Sequence, residues 1–185
     1  MNEELNFLLQ RASCARLAEP APSAEELEPM FAAAMRAPDH ARLRPWRFLC
    51  VRGERRVELG QRFREALLVR DPAADSAAQD KAANAPLRAP LLVVAIASIS
   101  EHPKVPPIEQ RLAAGCATYG LLLAAEASGY AGIWRTGEVA FDRTVMNALG
   151  LAANEEIIGF LYLGTREGDC RALPRLAVDQ YVAEW

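Results

Sequence analysis

Three clusters of residues in this chain could do chemistry, and they draw on the same kinds of group. Arg11, Ser13 and Arg16 bring two guanidiniums and a hydroxyl to the end of an apolar helical pattern, a set able to close on a phosphate through charge-assisted, bidentate hydrogen bonds. The stretch from Arg36 to Trp46 adds Arg36, His40, Arg42 and Arg44 to an aspartate, Asp39, and an indole. Its chemistry suits a flat anion. Trp134-Arg135-Thr136 sets an indole beside a guanidinium and a hydroxyl, as a heterocycle would require. Each cluster also has a plainer reading. Arginine is favoured at any helix C-terminus by the macrodipole, Asp39 is a common turn residue, and a tryptophan beside a surface arginine is an ordinary core arrangement. No nucleophile is paired in sequence with an obvious base. What the residues offer is a cradle for a cofactor that brings its own chemistry.

Composition removes several other classes. The net charge of -3 and the absence of a sustained basic run exclude a polyanion-binding surface, so no nucleic acid partner is expected. No Gly-x-Gly-x-x-Gly turn follows a strand, and neither a Walker loop nor a Gly-x-Ser-x-Gly elbow is present. The cysteines Cys14, Cys50, Cys116 and Cys170 lie far apart with only two histidines, so no metal site is expected and they read as free thiols. The longest uncharged apolar stretch, Leu112 to Ala125, is too short to cross a bilayer as a helix, which argues against a membrane partner. The acidic start, Met1-Asn2-Glu3-Glu4, is unlike a secretory signal, so a cytoplasmic protein is expected. At 185 residues the chain fits one domain, 1–185, with a substantial core.

The elements that must position these clusters follow from periodicity. Leu5, Leu8 and Leu9 predict a first helix, and Ser23 with Glu25 and Glu26 starts a second that runs to about Arg36 and stops before Pro38. Arg47 to Val51 predicts a strand, Arg55 to Val69 a helix, and Asp71 to Asp80 a mobile connection or lid. Ala89 to Ser98 is apolar without alternation, the mark of a strand covered on both faces. A long helix with Ile108, Leu112, Cys116, Tyr119 and Leu123 at helical spacing, and Ala, Gly and Leu elsewhere, reads as packed on all sides. A glycine turn then leads into Ile133-Trp134-Arg135, a short helix covers about Asp142 to Leu149, and Ile157 to Leu163 is a second buried strand. The tail from Gly168 shows no firm pattern, but its two aromatics suit a partner subunit's surface. Three clear strands among uneven helices point to an α+β domain rather than a regular βαβ array.

In its order of segments the chain resembles the FMN-dependent nitroreductase superfamily, most of all the small YdjA-like NAD(P)H nitroreductases. The resemblance rests on Arg11-Ala12-Ser13, Leu17-Ala18-Glu19-Pro20, Met35-Arg36-Ala37-Pro38-Asp39-His40, Arg44-Pro45-Trp46, Arg88-Ala89-Pro90, Ala114-Gly115-Cys116-Ala117, Gly132-Ile133-Trp134-Arg135-Thr136-Gly137 and Gly159-Phe160-Leu161-Tyr162-Leu163-Gly164-Thr165. It implies a mainly antiparallel central sheet flanked by helices, an intertwined homodimer with FMN sites at the interface, and NADH or NADPH as co-substrate. The implied reaction is ping-pong hydride transfer through FMN to a small-molecule electron acceptor such as a nitroaromatic or quinone, with chemistry at FMN N5 and no catalytic side chain. The family's FMN segments fall on Arg11, Ala12 and Ser13, on Arg36 and His40 reaching the partner's flavin, and on Trp134, Arg135 and Thr136. Position 12 departs from the family's Arg-Arg-Ser, and because alanine has no side-chain donor, contacts shift to Arg16 and affinity falls. Ala124, Ala125, Glu126, Ala127, Ser128 and Gly129 match a segment associated with the nicotinamide cofactor. A rival reading keeps the cradle but not the turnover: a flavin-binding dimer that stores or senses FMN.

Overall fold

The computed structural model describes residues 2–168, 173–174 and 176–185. In chain order its regular elements are α1 (Glu3–Gln10), β1 (Leu17–Ala18), α2 (Ala24–Ala34), β2 (Trp46–Arg52), α3 (Glu54–Arg70), α4 (Ser76–Asn84), β3 (Leu91–Ser98), α5 (Pro107–Ala127), β4 (Ala131–Arg135), α6 (Arg143–Ala148) and β5 (Glu155–Arg166). The sheet runs β1-β5-β3-β2 with β4 also on β5, and every pairing is antiparallel.

β3 lacks alternation because both of its faces are covered. Every residue from Leu91 to Ala97 is buried. Leu92, Val94 and Ile96 face a core shared with α3 and α6, while Leu91 and Val93 face one shared with α2 and α5. On the first side Phe63 and Phe160 meet edge to face with ring centroids 5.4 Å apart. Truncating either fully buried ring to alanine removes about 3–5 kcal/mol. On the second side α2 starts from a complete capping box: Ser23 Oγ accepts the Glu26 N–H at 3.2 Å and Glu26 Oε2 accepts the Ser23 N–H at 2.8 Å.

The structure corrects four expectations. α2 ends at Ala34, before the Ala37-Pro38 step, because its last turn closes with hydrogen bonds from the Met35, Arg36 and Ala37 N–H groups. The stretch read as a mobile connection contains the start of α4, capped by the Asp75 side chain accepting the Ala78 N–H at 2.7 Å. Cys14 is disulfide-bonded rather than free, whereas Cys50 and Cys116 are free and Cys170 lies outside the described residues. Spacing along the chain could not reveal this, since it carries no information on which sulfurs meet. Finally, α5 is not packed on all sides. It buries Ala113, Ala114, Ala117, Leu121 and Leu122, but leaves Ile108, Leu112, Cys116 and Tyr119 exposed along one face. α1 buries nothing, and Leu5, Leu8 and Leu9 stand in solvent.

Candidate cofactor site

The first and the third cluster are joined by one backbone hydrogen bond. The Cys14 N–H donates to the Gly132 carbonyl at 3.0 Å, which lays the Arg11-Ala12-Ser13 segment beside β4, the strand that carries Trp134 and Arg135. Arg11 follows directly on α1 and its guanidinium turns toward the last turn of α5, where Nη1 lies 3.9 Å from Glu126 Oε1. That separation is an ion pair but too long for a hydrogen bond, and Glu126 Oε1 is buried with no hydrogen-bond partner. Burial pushes the Glu126 carboxyl up, against the pull of Arg11 and then Arg166. Ser13 and Arg16 are exposed, and the Arg16 carbonyl accepts the Glu167 N–H.

The third segment does not behave as its sequence suggests. Successive side chains on a strand point to opposite faces, so the neighbours Trp134 and Arg135 diverge. The indole packs on the α2/α5 side, its N–H 3.4 Å from the Ile158 carbonyl. There it lies over Gly159, where an added Cβ would come within 2.0 Å of the indole nitrogen. Arg135 turns to the α3 side, its guanidinium carbon 5.8 Å from the centroid of the buried Tyr162 ring. Burial, opposed by Arg135 and Arg88, pushes the Tyr162 hydroxyl up. Arg135 Nε is buried without an acceptor in the structure. It opens on a cavity of about 390 Å³ bordered also by Lys81, Arg88, Thr136, Gly137 and Tyr162, within the range of small-molecule sites.

The Arg36 to Trp46 loop forms a second cavity, of about 520 Å³. Asp39 shapes it as a turn residue, Oδ1 accepting the Leu43 N–H at 3.1 Å and Oδ2 the Arg44 N–H at 2.7 Å. Ala41, Arg42 and Arg44 sit in the left-handed region with φ of 61, 55 and 50°. Such conformations cost of order 1–3 kcal/mol each and tend to gather at ligand sites. His40 reaches away from this cavity to α5, its Nδ1 2.7 Å from Glu109 Oε2.

Residues 124–129 close α5. The Ser128 hydroxyl donates to the Ala124 carbonyl at 2.9 Å, Glu126 faces Arg11, and Gly129 at φ +87° makes the turn. The partners Glu109, Arg88 and Tyr162 could not be assigned from sequence, because each lies on an element remote from the cluster it joins. Arg42 and Arg44 were visible as part of a cationic loop, but nothing in their order showed that Asp39 would be consumed by the backbone.

The antiparallel five-stranded sheet between two helical layers, with cationic segments on its rim, defines a nitroreductase-like α+β fold. The Nitroreductase family model matches residues 8–165, and the chain belongs to that family of oxidoreductases. It is 42% identical over 163 residues, 88% of each chain, to the "Putative NAD(P)H nitroreductase YdjA" of Escherichia coli strain K12. The nitroreductase-like family protein from Bacillus cereus shares the fold at a TM-score of 0.85 and 17% identity, covering 100% of this chain and 97% of that one. A Desulfovibrio desulfuricans nitroreductase solved in complex with FMN superimposes at a TM-score of 0.76 and 21% identity, covering 100% and 98%.

Proposed function

We propose that this protein is an FMN-dependent NAD(P)H oxidoreductase that passes electrons to a small acceptor such as a nitroaromatic or a quinone. The observation that carries the reading is the Cys14 N–H bond to the Gly132 carbonyl, which brings the phosphate-type donors Arg11 and Ser13 to the strand bearing the Trp134-Arg135-Thr136 segment. The donor set fits FMN. Ser13 and Arg16 are exposed, Arg11 is a partly buried cation, and the orphaned Arg135 Nε is a buried donor awaiting an acceptor such as the flavin pyrimidine edge. When bound, FMN supplies two-electron chemistry between nicotinamide and acceptor. Arg11 and Ser13 would hold its phosphate, with Arg16 standing in for the donor absent at Ala12. Arg135 would offer positive charge to the flavin as it is reduced.

The working unit is a homodimer. Arg11 contacts Glu126 and His40 contacts Glu109, and these two glutamates are seventeen residues, about 25 Å of helix axis, apart on α5. One flavin does not join both within a chain. A two-fold axis through the exposed face of α5 sets the helix against an antiparallel copy, and the N-terminal end of one then lies beside the C-terminal end of the other. Arg36 and His40 thereby complete the partner's site.

The test is direct. Purified protein should show, or take up, a flavin spectrum that bleaches on anaerobic addition of NADPH or NADH and recovers with a quinone. A colourless protein indifferent to FMN would end the proposal. Bound flavin that resists both nicotinamides but bleaches with dithionite would favour storage or sensing.

A further inference from the structure

We propose that Arg42 and Arg44 form the receptor for the 2′-phosphate of NADPH, so that the protein selects NADPH over NADH. This rests on the flavin oxidoreductase reading and specifies its co-substrate. Three guanidiniums, those of Arg36, Arg42 and Arg44, border one cavity together with Trp46 and Asp39. Among the described residues none of the three forms a side-chain hydrogen bond or ion pair, while arginines elsewhere, such as Arg47 and Arg111, are held bidentate by glutamates. Asp39 is the one carboxylate bordering the cavity, and each of its oxygens is engaged by a backbone N–H rather than by a guanidinium. The cavity therefore sets three guanidiniums against one carboxylate, a net positive charge. Its backbone is committed to that arrangement, because Asp39 holds Arg44 in the left-handed conformation, which is unfavourable for a residue with a Cβ.

An anion of two negative charges is the partner this geometry fits, and guanidinium forks match phosphate oxygens in pairs. NADPH differs from NADH by one such group, and arginine is the residue that commonly accommodates it. Trp46 presents an aromatic surface in the same cavity, suited to the adenine next to that phosphate. The loop also carries Arg36 and His40, which the functional reading places at the flavin. Arg36 thus joins the cavity to the flavin site, and Arg42 and Arg44 are the two guanidiniums that the functional reading leaves unassigned.

The test compares adenosine 2′,5′-bisphosphate with 5′-AMP by calorimetry, on the intact protein and on variants Arg42→Gln, Arg44→Gln and the pair, alongside kcat and KM for both nicotinamides. The intact protein should bind the bisphosphate at least roughly tenfold more tightly than 5′-AMP, and each substitution should raise its Kd and the KM for NADPH by roughly tenfold. The kcat and the KM for NADH should not move, and Arg42→Lys should recover part of the loss because it restores charge without the fork. Equal binding of the two nucleotides by the intact protein overturns the proposal. So does undiminished discrimination in the folded Arg42→Gln and Arg44→Gln pair, checked by circular dichroism. Failure of the underlying reading looks different: discrimination between the nucleotides without flavin uptake overturns the flavin and leaves this site standing.

Discussion

At the scale of single residues, burial decides which charges matter. Arg11 is partly buried between a proposed phosphate site and Glu126, so its truncation removes a charged hydrogen bond to the ligand and the counter-charge of a buried carboxylate together. Arg11→Ala should weaken FMN retention by roughly 1.5–3 kcal/mol, about 10- to 150-fold in Kd, measured by flavin fluorescence on dilution. Unchanged retention would remove Arg11 from the phosphate site. Glu155 is the opposite case, a buried carboxylate fully supplied with donors. Arg47 grips both oxygens at 2.7 Å, Ser98 Oγ donates to Oε1 at 2.9 Å and the Ala152 N–H to Oε2 at 3.0 Å. With Arg47 as the main cause, its pKa falls from the ordinary 4.5 to about 2. A depressed carboxylate stabilises the fold fully above its unfolded pKa and loses that contribution as pH falls through the folded one. Glu155→Gln should therefore cost about 2–3 kcal/mol at pH 7 by urea unfolding, with the gap to the parent narrowing from about pH 4.5 downward and closing near pH 2.

At the scale of elements, period 2 and period 3.6 account for both what was legible in the sequence and what was not. The unalternating run in β3 announced a strand buried on both faces, and Ser23 followed by Glu26 announced the start of α2; both signals are local and both hold. The Trp134-Arg135 pair misled because adjacency in sequence is opposition on a strand. The indole and guanidinium serve different layers, and only the sheet pairing to β5 shows which. His40 stayed ambiguous for a different reason: the group that fixes it, Glu109, is 69 positions away. The glycines of β5 carry a further constraint. Gly159 exists so that the indole of Trp134 can lie flat against the strand, and a methyl there would overlap the ring nitrogen. Gly159→Ala should force the indole out of its packing, lowering stability by about 1–3 kcal/mol and shifting the tryptophan emission to the red. If Trp134 also contacts flavin, retention of FMN should fall with it. A variant with parental stability and emission would show that the indole does not need that space.

At the scale of the whole molecule, the exposed apolar surface and the proposed division of the site between two chains point the same way. Ile108, Leu112 and Tyr119 on α5, the three leucines of α1, and Tyr181, Val182 and Trp185 near the C-terminus are all exposed in the single chain. The proposed homodimer covers α5 about its two-fold axis and joins Arg11 of one chain to His40 of the other. Leu112→Glu, which sets like charges near each other in that interface, should convert the protein to a monomer by sedimentation and release its flavin. A mixed dimer tests the division of the site more sharply. Arg11→Ala and His40→Ala homodimers each carry one lesion in both sites. Co-expressed as a heterodimer, a site built across the interface yields one position with both lesions and one with neither. That heterodimer should bind a single flavin with parental affinity, counted by absorbance after tandem-tag purification. If Arg11 and His40 served the same flavin within a chain, both positions would keep one lesion and no tight site would return. Recovery of one tight site per dimer is thus the outcome expected of the proposed homodimer, in which the 17-residue separation along α5 is bridged across the interface.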